Sequence, residues 1–495
     1  MLGLLRKVFP ERSWARLTYH KVSAVVSALW FLLPARKLTV IAVTGTSGKS
    51  TTVELIHSLL QAGGKKAGAL STIQFHVGDT ILPNHSLRTT LRPWQTQKLL
   101  RRMVSVGCTH VVLEVSSHAL DQHRTWGIPV DTAVLTNISD NEHLDYHGTF
   151  ADYVQSKEKL FHSLNLSFRK PHIPKQIILN ADDDQYERFA EIPADQHWTF
   201  ARQGRGDFRP TDVKLSARDM QFTLRVPNHQ ERVRVPLVGE HNLENLLAAV
   251  AAARSAGIDF EALSSTLPSL PGIPGRLETI SRGQAFSAVV DFSYKPSALR
   301  SVIAALKPLT EGRLIVVWGG AGGRAPSNWS ACAQILDAEA NEIVLTTDDP
   351  GETDPKKIAA HIRQKISREE GTGFFEIEDR YEAIRYALYT AEAGDTVLIA
   401  GRGHEGIQKI GKKKIRFDDR DVVREILAFA EAQDLLEKSG LRGHFCAKFG
   451  SHFFFFFPCL TIFRPRSKNH SNTCRCNSGN SKPVGQALPW SKKFQ

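Results

Sequence analysis

The segment Val43–Thr52, VTGTSGKSTT, joins the apolar run LTVIAVT to a stretch from Lys49 to Gln61 of helical character that stops at Gly63-Gly64. Glycines at 45 and 48 let the backbone curl so that successive N–H groups point inward, and the helix start adds the positive end of its dipole. Such a nest suits phosphate, with Gly45, Thr46, Ser47, Gly48, Lys49, Ser50 and Thr51 as the expected contacts. Lys49 would reach terminal phosphates, and the hydroxyl of Ser50 or Thr51 would approach magnesium. The common phosphate loop has a further glycine where this chain has Val43, so the loop is a shortened form.

A buried strand running into a helix implies a parallel sheet covered on both faces, and the pattern recurs. HVVLEV (110–115), DTAVLTN (131–137) and QIILN (176–180) read as further strands. Residues 205–238 alternate as a short antiparallel piece, and HNLENLLAAVAAARSAG after them is a helix. Beyond the Pro/Gly-rich PSLPGIPGR (268–276), FSAVVDF (286–292), RLIVVW (313–318), EIVLTT (342–347) and DTVLIAG (395–401) repeat the grammar. The expected fold is α/β: a central phosphate-loop domain with a mostly parallel sheet over 37–274, then a Rossmann-like domain over 275–440.

The ends differ from the body. Of the formal charge of +12, residues 441–495 contribute nine Lys/Arg and no Asp/Glu, leaving +3 for the rest, a balance that argues against nucleic-acid binding. That tail, with its Phe453–Phe457 run and four of the six cysteines, lacks apolar periodicity and is expected to lie outside the fold as a disordered or aberrant extension. The cysteines have no paired metal-ligand spacing and suggest a reducing, cytoplasmic setting. Residues 1–36 combine Arg6, Lys7, Arg12, Arg16 and Lys21 with an apolar run, Val22 to Pro34, too short to span a bilayer. They read as a helix packed on the body or lying on a membrane surface.

The shortened loop resembles the GTxGK[ST]T loop of the Mur ligase family, and the resemblance continues in order through EVSSHAL (114–120), HLDYHGTF (143–150), SKEKLF (156–161), GEHNLENLLAA (239–249), PGR (274–276), TTDDP (346–350) and GRGHE (401–405). Within the family, EVSSHAL, LDYHGTF, GRGHE and FDDR (417–420) are most similar to the UDP-N-acetylmuramyl-tripeptide synthetases, which add the third residue of the peptidoglycan stem. The resemblance implies ATP and Mg2+ as cofactors, a UDP-linked muramyl peptide and an amino acid as substrates, and an acyl-phosphate intermediate. It also implies a monomer, here expected to lack the usual N-terminal uridine-binding domain. A folylpolyglutamate-type ligase and a non-catalytic ATP-binding homologue are the alternatives.

Carried over residue by residue, the resemblance assigns magnesium to Ser50, Glu114, His143 and a carbamylated Lys157, and catalysis to Lys49, His143 and Lys157. It assigns precursor contacts to Thr89, Thr90, Ser116 and Arg124, and nucleotide contacts to Asn242, Asn245, Arg276 and Asp291. Asp348, Asp349, Gly403, His404 and Glu405 would form the amino-acid pocket. The chain departs from the family in three places. DFSYKP (291–296) replaces DYAHTP, GGAGGRA (319–325) replaces GCGGDRD, and TTDDPGE lacks the arginine with which diaminopimelate enzymes grip a second carboxylate. Lysine, or another amine drawn to Asp348, Asp349 and Glu352, is therefore at least as plausible.

Overall fold

The computed structural model describes residues 12–84, 86, 88–139, 144–216 and 219–438. His143, the start of the 1–36 segment and the 441–495 tail lie outside the described residues. The described residues up to Gln433 form one compact unit.

Two sheets dominate that unit. The first has eight strands: β1 (Thr39–Thr44), β2 (Ala67–Leu70), β3 (Gln74–Val77), β4 (Thr80–Pro83), β5 (His110–Glu114), β6 (Thr132–Leu135), β7 (Gln176–Asn180) and β8 (Gln196–Phe200), in the order β4-β3-β2-β5-β1-β6-β7-β8. From β2 to β8 neighbours run parallel, while β3 and β4 form an antiparallel hairpin at one edge. Alternation explains the unbroken apolar runs. Val40 and Ala42 of β1 enter one core, with Tyr153, Phe161 and Phe189, while Ile41 and Val43 enter the other, with Leu55, Leu59 and Leu247.

A three-stranded antiparallel sheet follows: β9 (Arg209–Leu215), β10 (Met220–Val226) and β11 (His229–Val235). The helix Glu240–Ser255 is buried over nearly its whole length and packs on the phosphate-loop helix, Lys49–Ala62. The second sheet comprises β12 (Glu278–Ile280), β13 (Ser287–Asp291), β14 (Leu314–Trp318), β15 (Glu342–Leu345), β16 (Phe374–Glu376) and β17 (Thr396–Ala400), in the order β12-β13-β17-β14-β15-β16. Only β12 is antiparallel. A short hairpin, β18 (Ile407–Ile410) and β19 (Lys413–Arg416), precedes the last helix, Asp419–Lys438.

At the other end of the chain, Trp14–Trp30 is a helix lying on Pro93–Ser105. It stops in a turn where Leu32 and Leu33 take φ of 61° and 49°, a left-handed conformation that costs side-chain-bearing residues energy. No described helix is long and apolar enough to cross a membrane.

Candidate active site

Because β1 lies between β5 and β6, its following loop emerges at the carboxyl edge of the sheet, where ligands collect in folds of this type. The loop is clamped from both sides. A Cβ on Gly45 would stand 1.9 Å from Thr136 Oγ1, and one on Gly48, at φ +79°, 2.0 Å from Asn245 Oδ1. Thr46 N–H donates to Asn137 O (2.7 Å) and Ser47 N–H to Asn137 Oδ1 (2.9 Å), while the Thr46 hydroxyl shares a 2.9 Å bond with the Tyr153 hydroxyl. Lys49 Nζ donates to the carbonyls of Gly45 (3.0 Å) and Thr46 (2.8 Å). Lys157, on the helix Phe150–Leu166 and 1% exposed, donates to the Gly45 carbonyl at 2.7 Å with its ammonium 4.5 Å from the Tyr153 ring centre. The two lysines singled out from sequence thus meet at one carbonyl.

Glu114 ends β5 beside this loop. A buried carboxylate needs donors, and three groups supply them: Ser50 Oγ, 3.0 Å from both oxygens, with Thr72 N–H (2.6 Å) and Thr72 Oγ1 (2.9 Å) on Oε2. The Ser50 hydroxyl and the Glu114 carboxylate are hard-oxygen donors of the kind magnesium prefers. A glycine cradle that any Cβ would fill, beside that donor set, fits a nucleotide triphosphate with its cation. Thr51, 5% exposed, faces the interior of the same helix start.

The same strand end organises the expected precursor contacts. Thr90 Oγ1 lies 3.1 Å from the Glu114 carbonyl and 3.3 Å from Ser116 Oγ, and receives the Ser116 N–H at 3.0 Å. Arg124 Nη1 donates to the Thr90 carbonyl at 3.0 Å. Thr89, Thr90, Glu114 and Arg124 line one cavity. The helix at Pro93 takes Arg92 as its cap and receives no side-chain cap bond, so neither threonine caps that helix, and Thr90 bonds the strand end instead.

Asn242 and Asn245 lie a turn apart, as their spacing requires, but they are structural neighbours of the loop. Asn245 Nδ2 donates to Asn242 Oδ1 (3.3 Å), Asn245 Oδ1 accepts from Thr52 (3.4 Å), and Asn242 Nδ2 donates to Val238 O (2.8 Å). Asp291, 6% exposed, accepts the Leu277 N–H at 2.8 Å, and burial raises its carboxyl pKa. The Arg276 guanidinium covers the Phe292 ring at 4.7 Å.

The GRGHE turn meets this hinge directly. A Cβ on Gly275 would stand 2.2 Å from Gly403 C and His404 N, and one on Gly403 2.6 Å from Phe292 Cβ. The His404 ring bonds the backbone of Thr72, and burial, then Arg276 and Arg420, depress its pKa to about 3. Beside it, burial pushes Asp348 up to about 6 and Glu405 up to about 7, the latter helped by the charge of Asp348. Asp348 Oδ2 is buried without a hydrogen-bond partner. Asp349 behaves differently from its neighbour: its carboxylate accepts the Lys409 N–H at 2.6 Å, and its carbonyl accepts from Gly322. It fastens the β18–β19 hairpin, which leaves Asp348 and Glu405 as the acidic pair.

Sequence reasoning missed several residues. Thr72, Asn137 and Tyr153 carry no motif. Arg380 and Arg402 are buried with Asp419, which Arg380 grips through two 2.8 Å bonds. Arg402, Asp419 and Asn137 fall within stretches already singled out, but for other reasons.

Comparison with known proteins finds relatives over most of the chain. A family profile described as the Mur ligase middle domain matches residues 43–253, and one described as Mur ligase, glutamate ligase domain matches 275–403. The UDP-N-acetylmuramoyl-L-alanyl-D-glutamate–2,6-diaminopimelate ligase of Geobacillus kaustophilus is 36% identical over 405 residues, 82% of each chain. A solved structure of a ligase of that description is 34% identical with a TM-score of 0.59, covering 80% of this chain and 79% of that one. A folylpolyglutamate synthase from Mycobacterium tuberculosis shares the fold, at 16% identity and a TM-score of 0.60 over 77% of this chain and 92% of that one.

Proposed function

Since the chain belongs to the Mur ligase family, we propose that it is an ATP-dependent acid–amino-acid ligase that extends UDP-N-acetylmuramoyl-dipeptide by one residue in peptidoglycan precursor synthesis. One observation supports the reading: the end of β5 joins the phosphate loop to the cavity lined by Thr89, Thr90 and Arg124. The Glu114 carboxylate holds Ser50 of the phosphate loop, and the Glu114 carbonyl and Ser116 N–H hold Thr90 of the precursor cavity. A carboxylate seated beyond Thr90 would face the phosphate loop across one residue, the proximity that acyl phosphorylation requires.

When bound, ATP with Mg2+ supplies the phosphoryl group that makes the precursor carboxylate electrophilic. Lys49 exchanges its bonds to the Gly45 and Thr46 carbonyls for phosphate oxygens and stabilises charge developing there. Ser50, Glu114 and a carbamylated Lys157 hold the cation, with His143 as a further ligand. Arg276 and Asp291 address the nucleotide from the second half of the chain, so that 37–274 and 275–440 act as two parts about Gly275. Asp348 and Glu405 attract the amine of the incoming amino acid, and Gly403 and His404 shape the pocket.

The relatives are named for diaminopimelate, yet Gly351 stands where their arginine clamp is expected, and Asp349 is committed to Lys409. We therefore favour a diamino acid without a second carboxylate, such as lysine. The test is phosphate release by the full chain with ATP, magnesium and UDP-N-acetylmuramoyl-dipeptide, adding lysine or diaminopimelate separately. Release requiring precursor and lysine is expected. A requirement for diaminopimelate would overturn the amino-acid choice alone, and ATP binding without turnover under any combination would overturn the ligase reading.

A further inference from the structure

The helix Trp14–Trp30 is amphipathic in an inverted sense: its apolar stripe faces outward. Trp14 is 80% exposed and Trp30 69%, and Val22, Val26 and Leu29 between them are each more than half exposed. At 100° per residue these positions fall on one side of the helix. Arg16 with the small residues Ala24, Ser27 and Ala28 forms the buried side, and Gly127 packs so closely that a Cβ there would be 2.6 Å from Ala28 Cβ. The helix is therefore held firmly with its large apolar residues presented to solvent. The stripe continues through Leu32, 72% exposed in the left-handed turn, and through Trp94, whose ring lies 5.8 Å from Trp30 and 4.8 Å from Phe31.

Charge identifies what covers this face. Residues 12–53 and 80–113 contain no Asp or Glu, although the chain through residue 440 is nearly balanced. Lys98, Arg101 and Arg102 are exposed at helical spacing from Trp94, and Lys21, Arg36 and Lys37 are exposed on or just after the first helix. Arg12 is otherwise engaged, with Asp121 and Asp152. Tryptophans at both ends of an apolar stripe, flanked by cations without carboxylates, match the chemistry of an anionic bilayer interface, where indoles sit at headgroup depth and Lys/Arg meet lipid phosphates.

We propose that the face formed by the helices Trp14–Trp30 and Pro93–Ser105 docks the protein on an anionic lipid surface. The first helix lies flat on it, and the loop carrying Thr89 and Thr90, which leads into the second helix, is held close to the bilayer.

The experiment is flotation of the full chain with vesicles of phosphatidylcholine alone and of phosphatidylcholine mixed with phosphatidylglycerol, read together with tryptophan emission. Flotation with the anionic vesicles only, a blue-shifted emission, and release at high salt are expected. Lys98→Gln and Arg101→Gln should each weaken binding roughly fivefold. The pair Val26→Asn and Trp30→Ser should abolish the blue shift while circular dichroism and the thermal midpoint stay unchanged. No flotation with either vesicle would overturn the proposal. So would self-association of the chain that the same substitutions remove, which would make a second copy the occupant.

Discussion

Asp348 is the residue whose environment is least comfortable and most informative. Its side chain is 3% exposed, one oxygen lacks a partner, and a Cβ on the adjoining Gly401 would lie 2.2 Å from that oxygen. Its folded pKa, about 6 against an ordinary 3.8, means that the folded state holds the proton more tightly than the unfolded chain. The charged form is therefore destabilising: the penalty is absent below about pH 4 and complete above about pH 6. Asp348→Asn should raise stability at about pH 8 by on the order of 2–3 kcal/mol, a gain that shrinks towards pH 4 in thermal unfolding. The same substitution should raise KM for the amino acid, because an ammonium group loses its charge partner. In the unaltered protein that KM should rise as pH falls through about 7 to 6, where Glu405 and then Asp348 take up protons. A lysine carbamate at 157 is checked separately, by a carbamate resonance in 13C NMR after equilibration with labelled bicarbonate, absent from Lys157→Met. That variant should lose on the order of 100-fold in turnover while still binding nucleotide.

Among the elements, the fit between the phosphate loop and the helix Glu240–Ser255 sets what the loop tolerates. Gly48→Ala brings a Cβ to 2.0 Å from Asn245 Oδ1 in a left-handed backbone, so it should lower both the thermal midpoint and nucleotide affinity. Gly48→Ala combined with Asn245→Ala should recover part of the midpoint, as a steric cause requires. Elements like these were legible because their patterns are long and doubly buried: QIILN is β7, and RLIVVW holds β14. β3 and β4 were not, being four residues each, partly polar and at an edge, and β8 is exposed over its first residues. Of the motif-bearing residues, Ser50 and Thr90 both bond Glu114, and Lys49 and Lys157 both bond the Gly45 carbonyl. Thr72 escaped notice because its contribution to Glu114 depends on a turn between two short strands, a placement no local pattern encodes. The two asparagines at 242 and 245 fit the spacing rule, and their side chains bond each other.

For the whole molecule, a close junction connects the hinge to the first sheet: Gly275 against Gly403 and His404, and His404 against Thr72. Gly275→Ala meets backbone on every side and should reduce turnover far more than nucleotide affinity, measured as kcat against the nucleotide dissociation constant. Adding ATP and magnesium to the full chain should raise its thermal midpoint in proportion to the logarithm of ligand concentration. The His404 contact carries a thermodynamic consequence as well. Thr72 gives its N–H and hydroxyl to Glu114 while its backbone receives His404, so one residue is shared between the Glu114 carboxylate and the turn beside Asp348 and Glu405. A ligand that draws either neighbour into its best position biases the other, and the bias is reciprocal. Whatever factor the nucleotide adds to the affinity for the amino acid, the amino acid must return to the nucleotide, and His404→Ala should reduce both factors equally.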